Sequence, residues 1–178
     1  LPMKGVCVDK ELAVPLLRKA FELGVNFYDS AIGYCGGDSQ AAVGEAVAPF
    51  RKDIFLSTKN HHHQATPEHW RKHLEDSLRF FRTDYIDLYN HHGINWGTFE
   101  KHLDPAQGGL TAEMLKAKEE GLIRHIGFSF HGTADDLRRL ADTGYYEHVI
   151  LQYNLLDQQN ADAMDYAKEK GMGIIVMG

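Results

Sequence analysis

Cysteine is scarce in this chain, and the few other features it lacks narrow the protein class. Only Cys7 and Cys35 occur among 178 residues, and they lie far apart. They form neither a disulfide framework nor a zinc-binding spacing, which is typical of a reducing compartment. The longest apolar runs, such as GIIVM at 173–177, are too short to cross a bilayer, and the first residues lack the apolar region of a signal peptide. We therefore predict a cytoplasmic protein without a membrane partner.

An excess of basic residues is also missing. The net charge is -6 and the pI is about 6.0, which argues against nucleic acid as a partner because phosphate binding requires a basic face. Low-complexity segments, linkers and short repeats are absent, and the length suits one sizeable core. Histidine is abundant instead: there are eleven, with runs at 61–63 and 91–92.

Strand-like and helix-like segments alternate along the chain. Apolar runs predict six strands, at 25–30, 53–58, 85–90, 123–130, 148–154 and 173–177. Segments with helical periodicity lie around them, at 9–23, 38–48, 66–82, 109–120, 133–143 and 157–170. The strands are nearly continuous apolar runs, as a parallel sheet covered on both faces requires. The pattern therefore predicts an α/β fold built from βα units.

Two α/β architectures fit this alternation. A doubly wound sheet usually carries a G-x-G-x-x-G motif after its first strand, and this sequence has none. A (β/α)8 TIM barrel places reactive residues at the carboxyl ends of several strands. Such residues are present here: Asp29, Lys59, His91 or His92, Ser129 and Gln152. Six strands do not close an eight-stranded barrel, so we expect either a fragment with about six of the eight βα units or a smaller open sheet, and we favour the fragment.

The side chains expected at these strand ends suit carbonyl reduction. A carbonyl that receives hydride needs a proton, and Tyr34 follows Asp29 closely enough to supply it. Lys59 beside the phenol should lower the pKa of Tyr34, and Asp29 should hold Lys59 in its charged form. A histidine can orient the carbonyl oxygen. Hydride itself must come from a cofactor.

Several motifs together resemble the aldo/keto reductase family. They are GVNFYDSAIGY, the strand ending STK, YIDLYNHHG, IRHIGFSFH, QYNLLD and GIIVMG, and they cover essentially the whole chain in order. The resemblance implies a (β/α)8 barrel that reduces a small-molecule aldehyde or ketone with NADPH or NADH. It also implies that residues 1–178 form a partial barrel domain, with the first barrel strand before Leu1 and the last after Gly178.

The resemblance assigns roles to individual residues. Tyr34 matches the proton donor, and Asp29 and Lys59 match its partners; the histidine five residues after the aspartate of DLY is His92 rather than His91. The positions that match the family's nicotinamide contacts are Asp29, Ser129, Gln152 and Met177. Met177 stands where many members have a stacking tyrosine, and Phe130 stands where members typically have asparagine. No metal ligand is implied.

Other features stay open at this stage. The pairs HHG, FSFH and IVMG resemble a bacterial and archaeal subgroup that often carries a ferredoxin-like C-terminal domain, so an iron-sulfur cluster is expected only in an extension. His61, His62 and His63 suit a metal site, a substrate pocket or plain loop polarity. The roles of Cys35 and His131 and the choice between NADH and NADPH are not predicted. The rival functions are a metal-dependent hydrolase that uses the histidine clusters and a nicotinamide-binding regulatory module with little turnover.

Overall fold

Six parallel strands form one sheet in the computed structural model, which describes residues 1–178. The strands are β3 (Phe27–Asp29), β4 (Phe55–Asn60), β5 (Ile86–Ile94), β6 (Ile123–Phe130), β7 (His148–Gln152) and β8 (Gly173–Met177). Their order in the sheet is their order in the chain. A short antiparallel pair, β1 (Met3–Lys4) and β2 (Cys7–Val8), precedes them.

Helices connect successive strands. They are α1 (Lys10–Glu22), α2 (Ser39–Val47), α3 (Pro67–Phe81), α4 (Trp96–Thr98), α5 (Thr111–Glu119), α6 (Ala134–Asp142) and α7 (Ala161–Glu169). A doubly wound sheet reverses its strand order at a switch point, whereas this sheet runs in one direction and curls as it does so. The predicted partial (β/α)8 barrel is therefore confirmed, with β3 and β8 as its two open edges.

The core lies between the sheet and its helices. Leu56 and Phe128 on the strands and Leu74 and Leu140 on the helices are completely buried. The helix ends follow from local sequence: Thr66 caps α3 by accepting a hydrogen bond from the His69 amide at 3.3 Å, with proline at the next position. These elements form where the apolar periodicity and the capping residues predict them.

A buried ion pair closes the amino-terminal end of the strands. Asp87, only 1% exposed, accepts 2.7 Å and 3.1 Å hydrogen bonds from the guanidinium groups of Arg51 and Arg124. It also accepts the Leu56 amide at 3.0 Å. In (β/α)8 barrels this end serves stability, and chemistry takes place at the opposite, carboxyl-terminal end.

Two parts of the structure differ from the sequence prediction. The β1–β2 pair was not predicted, because each strand has only two residues. Residues 91–108 were expected to form a long loop, but β5 continues to Ile94 past a register shift, and α4 and short π and 3-10 turns follow. Phe99 and Leu103 are buried in these turns, so the segment packs on the core.

Candidate functional site

The carboxyl ends of the strands collect the residues that the sequence singled out. Asp29 ends β3, Lys59 lies at the end of β4, and His92 lies in the last part of β5. Ser129, Gln152 and Met177 lie at the ends of β6, β7 and β8. The parallel register places these ends along one edge of the sheet. The fold therefore brings all the predicted site residues of the strands to the same end.

Lys59 is the most buried charge at this end. Its side chain is 2% exposed, and its ammonium group donates to the Asp29 carboxylate and, at 3.1 Å, to the Ser30 carbonyl. A buried charge is tolerated only when it is paired and hydrogen-bonded. Asp29 is the partner that allows Lys59 to stay charged inside the barrel.

A chain of buried hydrogen bonds reaches Asp29 from across the sheet. Ser57 donates to Asp29 Oδ1 at 2.7 Å, and Asn90 Nδ2 lies 3.2 Å from Ser57 Oγ. Asn90 Oδ1 lies 2.8 Å from His148 Nε2. Since a carboxylate and an amide oxygen only accept, every bond in the series donates towards Asp29. This series, Ser57–Asn90–His148, fixes the orientation of the carboxylate that holds Lys59.

Tyr34 follows a left-handed turn and faces Lys59. Gly33 has φ +88°, a conformation that favours glycine, and Tyr34 begins the next 3-10 turn. The ring centre of Tyr34 lies 5.4 Å from Lys59 Nζ, and the residue is 41% exposed. The phenol is thus open to a ligand and adjacent to the buried ammonium group.

The predicted lowering of the pKa of Tyr34 is wrong for this chain. Partial burial raises the pKa of the phenol, and the negative charge of Asp29 raises it further. The ammonium group of Lys59 is paired with that same carboxylate, so its positive charge is largely cancelled where it would act on Tyr34. The phenol is therefore held in its protonated form at neutral pH.

His92 lies beside Tyr34, and its neighbour His91 does not. The His92 ring centre is 5.7 Å from that of Tyr34, at 76° between the ring planes. Burial lowers the pKa of His92 to about 4, and Lys59 contributes to this, so its imidazole is neutral at pH 7. His91 is 1% exposed and faces Thr111 instead, at 3.2 Å. The geometry thus distinguishes the two histidines as the sequence did.

The other three predicted cofactor contacts lie on β6, β7 and β8. Gln152 is directly paired with Met177 in the sheet register. Ser129 is buried and accepts the Gly93 amide at 2.8 Å, so its hydroxyl hydrogen remains free to donate. The Gln152 side chain is exposed and forms no hydrogen bond within the chain. Free polar groups of this kind fit a carboxamide-bearing ligand such as nicotinamide.

Cys35 and the histidines near the site have distinct surroundings. Cys35 adopts a left-handed backbone conformation with φ 54° and packs against a small cluster that contains Val8, Ala13 and Ala42. His62 and His73 stack face to face. No group of three or more histidine, cysteine or carboxylate side chains is arranged to hold a metal ion, so the arrangement of the histidines does not favour the rival hydrolase.

Sequence reasoning missed the series that supports Asp29. Ser57, Asn90 and His148 are all buried polar residues within otherwise apolar strands. Their polarity within the runs IFLST, YIDLYN and HVILQ was a visible signal, since buried polar side chains need partners. Which residues are partners depends on strand register, which only the structure provides.

Comparison with known proteins decides the family. The profile of the Aldo/keto reductase family matches residues 4–178. The chain belongs to this family. An uncharacterised oxidoreductase of Bacillus subtilis, YqkF, is 29% identical over 181 aligned residues, which cover 96% of this chain and 56% of YqkF.

Solved structures of aldo/keto reductases share the fold. The holo form of the aldo-keto reductase AKR11C1 from Bacillus halodurans has a TM-score of 0.80 and 28% identity, covering 94% of this chain and 57% of that one. An aldo-keto reductase from Klebsiella pneumoniae in complex with NADPH has a TM-score of 0.74 and 25% identity, covering 93% and 56%. The chain thus spans little more than half the length of the relatives it matches.

The helices were also compared with the requirements of a bilayer. None of them combines the length and the hydrophobicity that a membrane-spanning helix needs.

Proposed function

We propose that the protein of which these residues form the partial barrel is an NAD(P)H-dependent oxidoreductase that reduces an aldehyde or ketone. The observation that carries the proposal is the contact of Tyr34 with both Lys59 and His92 at the carboxyl end of the strands. Family membership supports it, and so does the NADPH bound to the related Klebsiella enzyme.

Each residue has a distinct role in this proposal. Tyr34 binds the carbonyl oxygen of the substrate and donates its phenolic proton, which its raised pKa keeps in place at neutral pH. Neutral His92 donates a second hydrogen bond to the same oxygen and orients it. Lys59, held by Asp29, stabilises the negative charge that develops on Tyr34 as the proton leaves. The nicotinamide cofactor, when bound, supplies the hydride.

The cofactor site in this proposal uses residues from several strands. Ser129 and Gln152 would bind the nicotinamide carboxamide, Met177 would lie against its ring, and Asp29 would contact its ribose. Partly buried donors and an apolar side chain at the mouth of a barrel suit such a ligand. We further propose that strands outside residues 1–178 complete the barrel, as the half-length match to the relatives supports.

The test is the substitution Tyr34→Phe in the full-length protein. It removes one hydroxyl and should lower kcat for carbonyl reduction by about 10²–10⁴-fold, the usual range for loss of a general acid. Cofactor affinity, followed by quenching of protein fluorescence, should stay unchanged. The control is Tyr85→Phe, since Tyr85 lies between Arg51 and Arg124 at the opposite end of the strands.

Two results would overturn the proposal. Undiminished turnover by the Tyr34→Phe variant would show that Tyr34 is not the acid. Tight nicotinamide binding by the unaltered protein, with only a slow single turnover, would indicate a regulatory module instead.

A further inference from the structure

A second cavity lies beside Tyr34 and His92, at the same end of the strands. Its volume is about 410 Å³. The polar residues that line it are His61, His62, His63, Gln64, His69 and His73. No carboxylate lines it, although the chain as a whole carries a net charge of -6. We call this cavity the histidine pocket.

The histidine pocket adjoins the candidate catalytic residues directly. The ring centre of His61 lies 6.3 Å from that of His92, and His61 closely approaches the backbone of Gly33, next to Tyr34. His63 lines the pocket and lies 2.8 Å, through Nε2, from the His92 carbonyl. A substrate whose carbonyl lies at Tyr34 therefore places its next few atoms at the histidines.

The orientation of the rings argues against a metal ion in this pocket. His62 and His73 stack with ring centres 4.0 Å apart and planes only 5° from parallel. The lone pair of an imidazole nitrogen lies in the ring plane, so two parallel rings cannot both direct theirs at one ion. The same rings present N–H groups towards the cavity wall, and several donors without a carboxylate suit an anion.

We propose that the histidine pocket binds an acidic group, a carboxylate or a phosphate, of the carbonyl substrate. This inference rests on the proposed reductase function and names the class of its substrate. Such a group would accept hydrogen bonds from His62 and His73 while the carbonyl of the same molecule contacts Tyr34 and His92.

Protonation should strengthen this binding. Burial and the neighbouring histidines lower the pKa of His62, and burial also lowers the pKa of His63 and His73, so the empty pocket is largely neutral above pH 6.5. An anion would favour the imidazolium forms, so its binding takes up protons and tightens as the pH falls. The charged and titratable groups around the pocket are Lys59, Lys72, Asp76, His61, His69, His92 and His102. Of these only Asp76 opposes an anion.

The first test uses two aldehydes of similar shape with the full-length protein. 4-Carboxybenzaldehyde carries an anion, and 4-nitrobenzaldehyde is neutral. The ratio of their KM values cancels the pH dependence that the two share. Between pH 7.5 and pH 5.5 this ratio should move about three- to tenfold in favour of the carboxylate. The double substitution His62→Asn and His73→Asn should abolish that movement, and the control His125→Asn, on the amino-terminal half of β6, should retain it.

The second test needs no turnover. Benzoate titrated into the cofactor-loaded protein should shift the NMR signals of His62 and His73 and raise their pKa values, whereas neutral benzamide should not. The inference is overturned if benzoate and benzamide behave alike, if the KM ratio does not change with pH, or if zinc binds stoichiometrically and displaces benzoate. If neither aldehyde is reduced, the reductase proposal fails, and the benzoate titration alone decides whether the pocket binds acids.

Discussion

Asn90 accepts a 2.8 Å hydrogen bond from His148 and passes the polarity on to Ser57 and Asp29. Both residues are buried, and they are 58 positions apart in the sequence. The space for the His148 ring exists because residue 127 is glycine: a Cβ there would come within 2.4 Å of His148 Nε2. The strands are thus tied together by a polar series that ends on the carboxylate beside Lys59.

Removing the middle of this series should destabilise the fold. Asn90→Leu leaves the Nε2–H group of His148 without an acceptor and removes the donor to Ser57. An unsatisfied buried group costs about 1–3 kcal/mol, so we expect the free energy of unfolding to fall by about 2–3 kcal/mol in urea titrations of the full-length protein. The control Gln159→Leu, at an exposed position, should change it little. An unchanged urea midpoint for Asn90→Leu would show that the series contributes nothing to stability.

Removing the charge at the end of the series should affect chemistry more than stability. Asp29→Asn leaves the buried ammonium group of Lys59 without a counter-ion, which favours its deprotonation. We expect kcat to fall by about 10²-fold or more, and stability to fall only modestly because the Asp29 side chain is 30% exposed. Steady-state kinetics measures the effect, and Asp53→Asn, at an exposed position, is the matched control. Equal kcat values for Asp29→Asn and the unaltered protein would contradict the role of Asp29.

The sequence predicted the barrel and the residues at the strand ends because both depend on local signals. Apolar runs, caps and glycines define each βα unit, and parallel strands necessarily end on one side. Asp29, Lys59 and His92 could therefore be placed together without coordinates. The direction of the pKa of Tyr34 could not, because it depends on whether Lys59 acts alone or paired with Asp29.

Long-range packing was equally invisible in the sequence. The Asn90–His148 hydrogen bond depends on strand register, and the stacking of His62 on His73 depends on how the loop after β4 folds against α3. Sequence spacing linked His69 with His73, four residues apart on one helix. It gave no sign that His62 would cover His73.

Stability should decrease as the medium becomes acidic, and His148 should account for part of the loss. Burial lowers the pKa of His148 to about 4, whereas an unfolded histidine titrates near 6.5. Between these values the unfolded chain binds more protons than the folded one, so stability is complete above pH 6.5 and is lost as the pH falls towards 4. A shift of this size corresponds to about 2–3 kcal/mol.

Urea titrations at pH 7 and pH 4.5 measure this contribution. His148→Gln keeps an amide donor near Asn90 and removes the titrating group, so the variant should lose less stability between the two pH values than the unaltered protein. His69→Gln, at an exposed position on α3, should not change the loss. A pH dependence that His148→Gln leaves intact would assign the acid sensitivity to other groups, of which His92 is the next candidate.

The open edges of the sheet predict how residues 1–178 behave alone. β3 and β8 each have a neighbour on one side only, and Phe55 and Val176 are both 51% exposed nearby. Unpaired strand edges with apolar side chains favour association between chains. In size-exclusion chromatography, residues 1–178 should therefore self-associate and melt without a sharp transition, whereas the full-length protein should melt cooperatively. Val176→Lys places a charge on the β8 edge and should reduce the association, while Lys52→Arg, away from both edges, should not. A monomeric, cooperative melt of residues 1–178 would show that the six-stranded sheet is stable without further strands.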